Sequence, residues 1–310
     1  MKTVMCWSSG MSTEFTNRTD MLWRYLGTPQ GLLVSYPASY SPDCTNYDPR
    51  NRPWYVAATS GPKDVIILID VSGSMSYNNR MALAKEAALT VLDTLTMNDY
   101  VGVIQFSSDA HIVGAPSGFF LPASKTNLDS LRRALDLIPP PSGVPNYVMA
   151  FKTAFEMIYN STMRDTSSGC ERLILFLTDG LAEDIYVGAE RDALLANISN
   201  WNSQLKARIF TYSLGNTSGV EIPKAIACSN QGVWAHIRDG NNLASEMGNY
   251  YKYLASLVNR QQAVWTEPYE DAGGVGKVIT VSKAFYDDSV FPPLLLGVVG
   301  IDLHWSDFLT

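Results

Sequence analysis

The sequence predicts an α/β fold built on a doubly wound parallel sheet, set within a second, α+β unit. Three observations point there. An apolar, β-branched run, Val65 Ile66 Ile67 Leu68 Ile69, has the character of a strand buried on both faces. It ends abruptly in polar chemistry at Asp70, Ser72, Gly73 and Ser74, and a second apolar run at residues 173–177 ends in Thr178, Asp179 and Gly180. From residue 61 to 258 strand and helix patterns alternate, which implies a parallel sheet covered on both faces, and on either side of that region the pattern turns back to β.

Taken in order, residues 1–60 are rich in aromatics, Gly and Pro and read as strands and turns rather than helices. Residues 22–27 and 31–37 suggest two short strands around the turn at Thr28, Pro29 and Gln30. The cluster Tyr47 Asp48 Pro49 Arg50 Asn51 Arg52 Pro53 Trp54 Tyr55 reads as a proline-braced loop with stacked aromatics. Gly61 and Pro62 mark a boundary. Beyond the first polar turn, Met81, Ala84, Ala88, Val91 and Leu95 recur at helical spacing on one face. Residues 100–106 form a second buried strand, 128–137 a short helix closed by three prolines, and 147–159 another helix. After the strand that leads to Asp179 come a helix at 189–205, a strand at 207–214 and a final helix at 243–258. Residues 264–271 and 277–282 then predict a hairpin, and 294–302 a buried strand ending in Asp302. The expected domain boundaries are therefore 1–60, 61–258 and 259–310.

Composition narrows the function. The chain has 310 residues, 46% hydrophobic and 17% charged, which is the balance of a folded protein with a real core. A formal net charge of −7 without a basic stripe argues against nucleic-acid binding. Cys6, Cys44, Cys170 and Cys228 are widely spaced and form no CxxC pair, so they do not suggest a zinc site, and their three possible pairings stay open. Sequons at Asn17, Asn160, Asn197 and Asn216 fit a secreted, glycosylated chain. No apolar signal core follows Met1, and the apolar run at residues 294–301 is far short of the ~20 residues of a membrane span, so the stretch reads as part of a longer protein. His111, His236 and His304 are isolated, no Gly-x-Ser-x-Gly elbow accompanies the serines, and the turn after the first strand lacks the Lys of a P-loop, which leaves no enzymatic constellation.

What remains is a candidate cation site. Asp70, Ser72 and Ser74 place one carboxylate and two hydroxyls on alternate residues of a loop at the carboxyl end of a strand, where open α/β sheets bind ligands. Asp179 ends the second strand and would face the same ion. Hard oxygen donors without thiolate or imidazole suit Mg2+ or Ca2+.

At these residues the chain resembles a von Willebrand factor type A domain, whose metal-ion-dependent adhesion site has the form Asp-x-Ser-x-Ser with a later Thr and a later Asp. The resemblance implies Asp70, Ser72, Ser74 and Asp179 as metal ligands. It departs at Gly143 Val144 Pro145 Asn146, where the family's Thr gives way to a proline that offers no side-chain oxygen, leaving Asn146 or a water to fill the gap.

The flanks resemble the two halves of one Cache domain. The first matches through Trp23, Tyr25, Gly27, Gly31, Tyr36 and Pro37 and then the Asp48 to Tyr55 cluster; the second matches through residues 265–269, 277–282 and 296–302. A type A domain inserted in a Cache domain is similar to the alpha-2/delta family, the extracellular auxiliary subunits of voltage-gated calcium channels. That resemblance implies a non-enzymatic interaction module on the extracellular side of a membrane, with the pore-forming channel subunit as partner. Among Cache domains that bind free amino acids it further implies Tyr47, Arg52, Trp54, Tyr55, Tyr269 and Asp302 as a ligand pocket, with Arg52 for a carboxylate and Asp302 for an ammonium. A Cache-type amino-acid sensor and a metal-dependent adhesion protein are the alternatives.

Overall fold

The computed structural model describes residues 22–37, 48–182, 185–216, 219–238, 263–271, 274–290 and 294–308. The chain divides into two units, Met1–Gly61 together with Lys252–Thr310, and Pro62–Tyr251.

The first unit opens with strands β1 (Arg24–Gly27) and β2 (Leu33–Tyr36), paired antiparallel across the Thr28 turn. A 3-10 turn at Pro49–Asn51 then leads into helix α1 (Pro53–Ser60). This helix corrects the expectation of a loop. Pro53 at the first helical position has its φ already set for a helix and loses no hydrogen bond there, while Arg52 in extended conformation forms the N-cap.

The second unit begins with β3 (Lys63–Asp70), every residue of which is buried. It continues through α2 (Arg80–Leu92), β4 (Tyr100–Phe106), β5 (Ala110–Val113), β6 (Leu121–Pro122), α3 (Lys125–Asp136), α4 (Tyr147–Met163), β7 (Glu171–Thr178), α5 (Ala189–Leu205), β8 (Arg208–Leu214), α6 (Glu221–Ser229) and β9 (Trp234–Ile237). The strand order is β5-β4-β3-β7-β8-β9, with β6 also on β4. The pairs β3–β4, β3–β7, β7–β8 and β8–β9 are parallel. Strands β5 and β6 join β4 antiparallel, so the sheet is mixed: the Ser107–Asp109 turn is too short for the crossover that a parallel neighbour needs. Strands β5, β6 and β9 and helix α6 are absent from the sequence reading; the predicted helix at 243–258 falls outside the described residues.

One layer of the core lies between the sheet and α4, whose Ala150, Phe151, Ala154, Phe155, Met157 and Ile158 are buried against Ile66, Leu68, Ile104 and Phe176. Gly102 on β4 permits this approach, since a Cβ there would stand 2.3 Å from Met157 Sδ. Asn146 caps α4, its side chain accepting from Met149 N at 3.1 Å.

The chain then returns to the first unit with β10 (Val264–Trp265), β11 (Tyr269–Glu270), β12 (Lys277–Asp287) and β13 (Leu294–His304). The order β10-β12-β13-β1-β2 is antiparallel throughout, with β11 also on β12. Because β1 pairs with β13, Arg24 facing Ile301 and Gly27 facing Val298, the two sequence flanks share one sheet. Helix α1 packs on it through Trp54, which is 1% exposed and whose carbonyl accepts from Ser282 Oγ at 2.7 Å.

Candidate functional site

Strand β3 connects outward to β4 in one direction, while β7 is its neighbour in the other, so the carboxyl ends of β3 and β7 bound the crevice at which the winding reverses. Both polar turns of interest emerge there. Asp70 is fully buried; its Oδ1 accepts from Ser72 N at 2.8 Å and its Oδ2 from Thr178 Oγ1 at 2.7 Å. The hydroxyls of Ser72 and Ser74 lie 3.2 Å apart. Thr178 Oγ1 also accepts from Gly180 N at 3.0 Å and bonds Tyr147 OH at 2.9 Å. Its single proton goes to Asp70, so Tyr147 is the donor in that pair. Burial pushes the Asp70 carboxyl up to about 6, against the lowering effect of the hydrogen bonds from Ser72 and Thr178. Burial, then the nearby Asp70, holds the Tyr147 phenol well above its ordinary range, which keeps it a proton donor.

Asp179 is also fully buried, but it is engaged differently. Its Oδ2 receives Arg80 Nη1 at 2.8 Å in a buried ion pair, and its Oδ1 accepts from Leu181 N at 3.1 Å. The turn behind it is closed by Gly219 N donating to the Asp179 carbonyl at 2.9 Å. Gly180 sits at φ +70, and a Cβ there would be 1.9 Å from the Gly219 oxygen, so only glycine fits.

The loop before α4 lies against the first polar turn, with Ser142 N donating to Val71 O at 2.8 Å and Gly73 N to Gly143 O at 3.0 Å. Pro145 is buried within it. Asn146 does not turn to fill the proline's gap: its carboxamide oxygen is the α4 cap and its Nδ2 reaches Ser108 O at 3.4 Å.

The structure therefore brings Asp70, Ser72 and Ser74 together, with Asp179 close enough to act on Asp70 electrostatically. It adds Thr178, Tyr147 and Arg80, which the sequence reading did not assign to the site. Thr178 was legible from its place beside Asp179. Arg80 was not, because only the 3-10 turn at Gly73–Asn79, with Asn78 and Asn79 in the left-handed conformation that asparagine tolerates, brings it to the start of α2. Among the described residues no group of three or more His, Cys, Asp or Glu side chains could hold a metal, so any cation here relies on hydroxyl and water oxygens beside the carboxylates.

In the first unit, Asp302 is 1% exposed. Tyr25 OH donates to its Oδ1, and Thr280 Oγ1 donates to the same oxygen at 2.5 Å. Tyr269 OH bonds Thr280 Oγ1 at 2.7 Å, so Tyr269 and Asp302 are joined through Thr280. Tyr25 lies 4.5 Å from the Trp54 ring, and Trp54 lies 5.6 Å from Tyr55. Burial raises the Asp302 carboxyl to about 6 and, together with Tyr269 and Asp302, the Tyr25 phenol far above its ordinary range. Arg52 is half-buried and caps α1 through its carbonyl, which accepts from Val56 N at 3.0 Å. Tyr47 and Asn17 lie outside the described residues, as do Cys6 and Cys44. Asn160 on α4, Asn197 on α5 and Asn216 after β8 are exposed, and Cys170 and Cys228 are exposed free thiols. No helix among the described residues is long and apolar enough to cross a membrane.

The family model for the von Willebrand factor type A domain matches residues 65–181, the span from β3 through the Asp179 turn. The chain contains a type A domain of the alpha-2/delta kind. It is 31% identical over 327 residues to the rat (Rattus norvegicus) voltage-dependent calcium channel subunit alpha-2/delta-3, covering 98% of this chain and 29% of that one. To the human alpha-2/delta-4 subunit it is 30% identical over 318 residues, 96% of this chain and 27% of the relative. The chain thus spans less than a third of the length of these relatives. Among solved structures, a von Willebrand factor type A protein from Catenulispora acidiphila superposes with a TM-score of 0.52 at 18% identity, over 79% of this chain and 58% of that one, which is a likeness of fold alone.

Proposed function

We propose that this chain is the ectodomain portion of a non-enzymatic auxiliary subunit of a voltage-gated calcium channel, and that its type A unit is a divalent-cation-dependent binding module. The observation that carries the second part is the fully buried Asp70, both of whose oxygens are fixed by Ser72 N and Thr178 Oγ1, beside two hydroxyls 3.2 Å apart. The donor set fits a hard cation: every candidate ligand atom is oxygen, and the carboxylate is already oriented. Asp70, Ser72 and Ser74 would hold Mg2+ or Ca2+, with Thr178 and Asp179 in support. The bound cation would supply an open coordination position for an acidic side chain of the partner. The likeness to alpha-2/delta subunits over nearly the whole chain supports the pore-forming subunit as that partner and the extracellular side of a membrane as the location.

The first unit is read as a Cache domain, split by the type A insertion at about residues 60 and 259. Its amino-acid pocket would draw on Tyr47, Arg52, Trp54, Tyr55, Tyr269 and Asp302. Support comes from the aromatic group around Tyr25 and from the buried Asp302 carboxylate, a fit acceptor for an ammonium once its hydroxyl partners rearrange. Asn17, Asn160, Asn197 and Asn216 are the proposed glycosylation positions.

The test is pull-down of the pore-forming subunit by wild type and Asp70→Ala, each in Ca2+ and in chelator. Cation-dependent capture that vanishes in D70A is expected; capture unchanged in D70A would refute the metal-bridge reading.

A further inference from the structure

Arg80 presents a cation to the site before any metal arrives. Its guanidinium is 2% exposed and contacts Asp179 at 2.8 Å, on the carboxylate that would otherwise be the second acidic group facing a metal ion. The fold encloses it. Gly215, at φ +97, closes over the side chain, and a Cβ there would stand 2.6 Å from Arg80 Nε. A guanidinium does not lose its proton in a protein, so this charge is permanent at any working pH.

We propose that Arg80 is a tethered counter-cation of the divalent-cation site. By holding Asp179 it pairs one of the two buried carboxylates without a metal ion, and it sets the affinity for a divalent cation below what two uncommitted carboxylates would give. The inference rests on the cation reading of the Asp70 crevice. The physical reasons are two. A buried carboxylate left unpaired is strongly unfavourable, and Arg80 removes that condition in the metal-free protein. A dication entering beside Asp70 then meets one neutralised carboxylate and a fixed like charge, rather than two carboxylates. Among the described residues, Leu181 N donates to Asp179 Oδ1 and Gly219 N to the Asp179 carbonyl, so the other partners of Asp179 are uncharged main-chain groups.

The experiment is calorimetric titration of Mg2+, Ca2+ and Mn2+, separately, into the whole chain as wild type, Arg80→Met, Arg80→Gln and Arg80→Lys, with thermal unfolding in chelator and in each cation. Neighbouring unit charges shift a proton's affinity for a carboxylate by about ten- to a thousandfold, so R80M and R80Q should bind the dication at least about tenfold more tightly than wild type. R80K, which keeps the charge, should tighten binding much less. Chelator should lower the melting temperature of wild type less than that of R80M, with cation restoring both. A neutral variant that folds only when cation is supplied supports the inference, because the ion then replaces the guanidinium. Neutral variants that stay unfolded in saturating cation overturn it. Equal affinity in folded wild type and neutral variants overturns it too, while leaving the cation site standing. Binding by R80M alone supports the counter-cation and removes metal binding from the native function; binding by no variant overturns both readings.

Discussion

Lowering the pH from 7 to 5 should weaken cation binding about tenfold through Asp70. The carboxyl is raised to about 6 because it is buried, and the hydrogen bonds from Ser72 and Thr178 only partly offset that. A group with such a value is about nine-tenths ionised at pH 7 and about one-tenth at pH 5. The cation needs the ionised form, so its apparent affinity follows that fraction, and at pH 6 binding should release about half a proton. Titration calorimetry at the three pH values, at constant ionic strength and in buffers of different ionisation enthalpy, reads both quantities. The sign reverses for the metal-free protein. The folded value lies above the ordinary 3.8, so the folded state holds the proton more tightly, and stability declines as pH rises from about 4 to about 6. The span corresponds to about 3 kcal/mol from this group. Asp70→Asn should lack that decline, which separates it from the similar contribution of Asp302. Equal cation affinity at pH 5 and pH 7 would refute the reasoning.

Two further outcomes follow from single contacts. Gly180→Ala should destabilise the second unit by about 2 kcal/mol or more in urea unfolding, because the residue sits at positive φ and the added Cβ meets the Gly219 carbonyl; an unaltered midpoint would contradict the packing described for that turn. Tyr25→Phe removes a donor from Asp302 and should cost about 1–3 kcal/mol, while raising the Asp302 carboxyl above its present value of about 6 in an NMR titration; an unchanged Asp302 titration would mean the phenol does not hold that carboxylate.

The crevice was legible because its residues are consecutive with strong periodic signals. The run Val65 to Ile69 could only be an interior strand, and Asp70 and Thr178-Asp179 stand at strand ends that a parallel sheet must bring to one edge. The electrostatics were not legible. Arg80 belongs to no motif, and its approach to Asp179 depends on two left-handed asparagines, on the packing of α2, and on Gly215, far along the chain. Short elements were missed for similar reasons. Strand β9 has four residues, and its pairing with β8 is a tertiary choice that overrides weak local preference. Helix α1 was misread because prolines at residues 49 and 53 suggested a loop, whereas a proline at the first helical position starts a helix. In the first unit, Tyr25 joins the Trp54 ring to the Asp302 carboxylate although these residues are more than two hundred positions apart in sequence.

The claim that the Asp70 crevice holds a divalent cation is tested most directly by equilibrium titration of Mn2+, Mg2+ and Ca2+ into wild type and the Ser72→Ala/Ser74→Ala double variant near pH 7. The account predicts saturable binding of one ion per chain in wild type and its loss in the variant, with the circular dichroism of the two proteins alike. No uptake by folded wild type, or the same affinity without the two hydroxyls, would contradict it.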